Sequence, residues 1–202
     1  MKIIKQLPPT IRVLLHKWLY WWPLLLTLPL LLLLLARDPF SDRTLIPNFE
    51  PFPDAFYYLV TPKCWLQGEG WHMCRPNHEG ITPTVPPLYS MILLPFLSLN
   101  LDIRMFYFAN VFLTVLSLYL LFRILGKVTK LKWLQFLGLF VYVTQYHTYW
   151  YPSLAMAENL IIPMTLLLIE RLLAKNTWLN VAIVALTGIS FYFVKFAYAP
   201  LL

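Results

Sequence analysis

The stretch WLYWWPLLLTLPLLLLLLA, residues 18–36, runs 19 positions without a charge. As a helix rising about 1.5 Å per residue it reaches ~28 Å, enough to cross the hydrocarbon core of a bilayer. The lead before it, residues 1–17, carries Lys2, Lys5, Arg12 and Lys17 and no acid. Basic flanks stay cytoplasmic and tryptophans gather at membrane interfaces, so the N-terminus is expected inside, with Trp18, Trp21 and Trp22 at the boundary. The apolar run is too long for a cleavable signal, and its exit at Leu34-Leu35-Ala36-Arg37 has no small-x-small cleavage site.

The rest of the chain agrees with this anchor. Of 202 residues, 59% are hydrophobic and only 12% charged, whereas a soluble domain has about a quarter charged. A cytosolic globular enzyme, a disordered tail and a disulfide-rich secreted module are excluded. The fold class expected is an all-α, multi-span protein of the cell membrane. Further spans are expected over residues 105–125, 133–150, 160–173 and 179–198, and the short apolar run 88–99 suits a slanted or re-entrant segment. Two basic clusters set the count: Arg123, Lys127, Lys130 and Lys132, then Arg171 and Lys175. Both face the cytoplasm if 88–99 does not cross, which gives five crossings. The net charge of +7 is mostly this inside-positive bias, so nucleic acid is not an expected partner.

The organisation expected is therefore a basic N-terminus (1–17), a first span (18–36), a large extracytoplasmic loop (37–87) and the remaining spans (88–202). The loop holds 6 of the 9 acids and 9 of the 17 prolines. Proline at that density forbids a long helix. One short helical piece, 54–67, is expected on the membrane surface with Phe56, Leu59, Val60 and Trp65 apolar and a kink at Pro62.

Three polar residues stand out near outer helix ends. Asp54 follows Pro53 at a helix start, where it serves either as an ordinary N-cap or as a carboxylate made more basic by partial desolvation. Glu158 opens an apolar helix, either favouring the macrodipole or facing a polar cavity. Lys195 lies among aromatics, either snorkelling to the interface or meeting a phosphate. Cys64 and Cys74, near His72, His78 and Glu79, fit a disulfide or two thiols better than a zinc site. Tyr146, His147, Tyr149 and Trp150 read as an interfacial belt.

Three motifs occur in order: Pro53-Asp54-Ala55-Phe56-Tyr57-Tyr58, then Pro86-Pro87-Leu88-Tyr89-Ser90 leading to Leu94-Pro95-Phe96, then Ser153-Leu-Ala-Met-Ala-Glu158-Asn159. Gly188 followed by Lys195 adds a glycine-then-basic pattern. In these the chain resembles the N-terminal portion of the integral-membrane glycosyltransferases of the C superfold, over about residues 18–200. The branch it is most similar to is the bacterial protein-mannosyltransferase and aminoarabinose-transferase-like group, with some likeness to the mannosyltransferases of GPI-anchor synthesis. Such enzymes are usually much longer, so the chain is expected to be the front of a single domain. The resemblance implies transfer of a sugar from a polyprenyl-phosphate donor to a hydroxyl of a glycan, lipid or protein acceptor on the outer face, with inversion. It implies Asp54 and Glu158 as catalytic residues, and Lys195, Tyr57, Tyr58 and Tyr89 as substrate-binding residues. No metal ligand is assigned, and a divalent metal stays open. The alternatives are a non-catalytic membrane subunit, a lipid or solute transporter half, or a lipid-linked oligosaccharide ligase relying on Arg43 or Arg75.

Overall fold

The computed structural model describes residues 9–36, 54–72, 74, 85–100, 102–175 and 177–195, and among these the protein is all-helical, without a strand. Eight α-helices follow in order: α1 (Pro9–Leu35), α2 (Asp54–Leu66), α3 (Pro87–Leu99), α4 (Phe106–Val128), α5 (Lys132–Thr144), α6 (Tyr146–Trp150), α7 (Glu158–Leu172) and α8 (Trp178–Val194). Two of them are long and apolar enough to cross a membrane: α1 over Trp18–Leu35, and α4. Helices α3 and α8 are apolar but shorter, at 13 and 17 residues.

Helix α4 is the centre of the molecule. It is largely apolar up to its last two turns and packs against other helices on two sides. On one side Leu118 and Phe122 pack with Leu31 and Leu35 of α1 and Leu139 and Val143 of α5. Gly138 of α5 faces Leu125 so closely that a Cβ there would stand 2.9 Å from its Cδ1. The Tyr107 hydroxyl of α4 donates to the Leu35 carbonyl at 2.7 Å, satisfying an acceptor that the end of α1 leaves open. On the other side Phe106, Ala109 and Leu113 join a larger cluster built from α2, α3, α7 and α8.

Two expectations change. The segment 133–150 is not one helix: α5 stops at Thr144, Gln145 is extended, and α6 restarts at Tyr146. The Thr148 hydroxyl donates to the Tyr142 carbonyl at 2.6 Å, so a side chain takes over an acceptor that a continuing helix would have used. Helix α2 begins where expected, but it does not show one apolar stripe. Ala55, Tyr58 and Leu59 enter the large cluster, while Val60 and Cys64 form a second one with Phe56 and Cys74. Trp65, one of the four apolar positions named for that helix, is 52% exposed.

Cys64 and Cys74 are joined as a disulfide across ten positions, their Cα atoms 5.7 Å apart. Most of the proline-rich loop, including Arg43, Arg75, His78 and Glu79, lies outside the described residues.

Candidate functional site

The five helices around the large cluster bring four distant segments together. Ala55, Tyr89, Ala157 and Val194 are all buried in it. Each either is a residue singled out in the sequence or stands beside one: Asp54, Tyr89, Glu158 and Lys195.

Helix α2 docks on α3 through its proline. Pro62 has no N–H, so the carbonyl four residues back, that of Tyr58, loses its helical donor. The Ser90 hydroxyl of α3 donates to that carbonyl at 3.1 Å. Beside it the Tyr58 and Tyr89 rings meet edge to face with centroids 5.1 Å apart. Tyr89 is fully buried, and its hydroxyl donates to Asn110 Oδ1 of α4 at 2.8 Å. The Asn110 amide then donates to the carbonyls of Pro152 and Leu154 at 3.1 and 2.9 Å.

Those carbonyls belong to the 3-10 turn Tyr151–Ser153 and the short link after it that leads into α7. A second amide, Asn159, holds the same turn from the other side, donating to the carbonyls of Tyr151, Leu154 and Met156 at 3.1, 2.9 and 3.2 Å. The turn is thereby fixed, and with it the first residue of α7, Glu158. Its carboxylate pairs with the Lys195 ammonium just past the end of α8. Both side chains are partly exposed, at 28% and 39%.

Asp54 is exposed in the first turn of α2. Tyr58 lies within electrostatic reach of both acids. Burial pushes its phenol well above the ordinary tyrosine range, and the carboxylates of Asp54 and Glu158 push it the same way. Tyr58 therefore keeps its proton at any physiological pH. Tyr57 is half-buried, its ring 5.9 Å from that of Phe56.

These side chains do not assemble a divalent-cation site. Glu158 is engaged by an ammonium, and among the described residues no three His, Cys, Asp or Glu side chains converge on a point. What they offer is an exposed carboxylate, a neutral phenol and a partly exposed ion pair, all beside a dry wall.

A cavity of about 150 Å³ lies elsewhere among the described residues, between α4, the α5–α6 break and α7. Thr114, Ser117, Tyr142, His147 and Thr148 line it, and Asn159 is its link to the Glu158 turn. None of the six residues picked from the sequence lines it.

Sequence reasoning passed over Asn110, Ser90 and Glu170. The signal for Asn110 was there, a lone amide in the apolar run Phe106-Tyr-Phe-Ala-Asn110-Val-Phe. Ser90 and Asn159 were quoted in motifs without a role. Glu170 was hidden among the cations counted for topology. Neither a family model, nor a curated protein, nor a solved structure matches this chain.

Proposed function

We propose that the chain is a membrane-embedded sugar transferase, taking a sugar from a polyprenyl-phosphate donor at the outer face of the membrane. The observation that carries the reading is the gathering of Asp54, Tyr58, Glu158 and Lys195, from α2, the start of α7 and the end of α8, around one buried cluster. In this reading α1, α4, the α5–α6 pair, α7 and α8 are the five crossings, α3 is the slanted segment, and α2 lies outside. Exposed apolar side chains such as Leu33, Phe108, Phe112 and Leu186, between 58% and 70% accessible, support a lipid surround, since water-facing patches of that kind are rare.

Chemically, Asp54 accepts the proton of the acceptor hydroxyl as its oxygen attacks the anomeric carbon and the bond to the phosphate oxygen breaks. The phosphate leaves with the bond's electron pair, and Lys195 offsets its charge, exchanging Glu158 for the new anion. Glu158, once released, orients the acceptor. Tyr57 and Tyr58 border the sugar. Tyr89, sealed in the wall, acts through Tyr58 and Asn110 as a positioning residue.

The test is transfer of a radiolabelled sugar from a polyprenyl-phosphate donor by the purified chain in detergent. Asp54→Asn is expected to lower turnover by about a hundredfold or more, the low end of what a general base contributes, with yield and unfolding temperature unchanged. Full turnover in that variant removes the base. A transporter half is the rival favoured by the cavity between α4 and α7. It predicts no turnover, but movement of lipid or solute that Asp54→Asn leaves intact.

A further inference from the structure

Glu158 and Glu170 stand at opposite ends of α7, twelve positions and so about 18 Å apart. At the far end, Glu170 is buried, with 2% of its surface accessible. Three cations close on it. Arg123 Nη2 and Lys127 Nζ, from the last two turns of α4, reach Oε1 at 3.1 and 2.9 Å, and Arg171 Nε reaches Oε2 at 3.2 Å.

One carboxylate cancels one of these three charges. Among the described residues the remaining two charges meet no second acid, and Glu158 and Glu170 are the only acids in the sequence after residue 102. Lys130, Lys132 and Lys175 add to the same end. The three side chains are held in place yet stay open to an arriving group, at 42%, 27% and 33% accessible. Arg171 is further fixed by Asn180 at the start of α8, whose Oδ1 lies 3.3 Å from Nη1. A carboxylate this deeply buried is costly unless fully paired. Its value is that it pins long, mobile cationic side chains into one group.

The surroundings say which anion. Around the cations the surface is strongly apolar: Val128, Leu131, Trp133, Leu172 and Trp178 are 64% to 85% exposed. A free phosphate has no use for such a rim. A molecule with one anionic head and long apolar tails uses both parts.

We infer that this end of the bundle is a binding site for an anionic glycerophospholipid, with Arg123, Lys127 and Arg171 holding the phosphodiester and the Trp133 and Trp178 rims taking the upper acyl chains. The head of such a lipid ties α4, α7 and the start of α8 together. The site rests on the membrane placement proposed above and not on sugar transfer.

The chain purified in a neutral maltoside detergent is mixed with dioleoyl phosphatidylglycerol, dioleoyl phosphatidylcholine or inorganic phosphate. Lipid retained per chain is counted by native mass spectrometry, and the unfolding temperature is followed in parallel. Phosphatidylglycerol is expected to be retained and to raise the unfolding temperature, with phosphatidylcholine and inorganic phosphate doing neither. Removing two of the cations together with the acid they neutralise (Arg123→Gln, Lys127→Gln, Glu170→Gln) lowers the net charge of the site by one and is expected to weaken phosphatidylglycerol retention by about fivefold, taking that charge at its usual worth. Equal retention of both lipids by the unaltered chain overturns the site without any variant. Protection by inorganic phosphate equal to that by phosphatidylglycerol overturns the lipid assignment, and unchanged retention in a folded triple variant overturns the cations' part.

Discussion

Asn110 meets partners 21, 42 and 44 positions away with a single side chain. Its carbonyl oxygen accepts from Tyr89 and its amide hydrogens go to two main-chain carbonyls, so every polar atom of this fully buried side chain is used. Tyr89→Phe removes the one donor to Oδ1. Leaving a buried acceptor unpaired costs about 1–3 kcal/mol, and denaturation of the variant in detergent should fall by that amount. An unchanged midpoint would mean the oxygen finds another donor. At this scale the sequence was partly readable. A polar residue in an apolar run declares that a partner exists, but nothing local says that the partner lies two helices away. The same holds for Glu158 and Lys195, which are visible as odd residues 37 positions apart but not as a pair.

Prolines inside helices are usually read as kinks, and here one is a docking device. Pro62 opens the Tyr58 carbonyl, and Ser90 of α3 closes it. Ser90→Ala should destabilise the protein by about 1–3 kcal/mol. In a Pro62→Ala background the new N–H at 62 can reach the Tyr58 carbonyl within α2, so the same Ser90 change should cost clearly less. A double-mutant cycle by chemical denaturation measures the difference, and equal costs in both backgrounds would remove the link. The positions of α2, α3, α4, α7 and α8 followed from hydropathy and punctuation to within a few residues. The α5–α6 break did not. Phe-Val-Tyr-Val-Thr-Gln-Tyr contains no glycine or proline, and the helix ends there because the Thr148 hydroxyl competes for a carbonyl. The faces of α2 were not readable either, because a helix packed on two sides shows no single stripe.

Over the whole molecule, α4 divides two apolar clusters, and charge divides the two ends of α7. The Asp54, Glu158 and Lys195 end is nearly neutral, and the Glu170 end is strongly positive. That asymmetry was legible from the sequence, since the positions of the lysines and arginines already set it. What the sequence lacked was the buried acid that organises three of them. If the positive end faces the cytoplasm, Lys130→Cys should react with an impermeant maleimide only after cells are opened, and Gln67→Cys in intact cells. The reverse pattern would turn the molecule over and put the proposed donor site on the wrong side.

The Glu158–Lys195 pair also constrains how this chain can change over generations. Each partner cancels the other where α7 begins and α8 ends. A single substitution at either position takes an ion-pair partner from the other, whereas losing both removes the two charges together. The two codons are thus linked, and drift at one favours drift at the other. A lineage that has shed both would keep its shape and give up whatever those charges do.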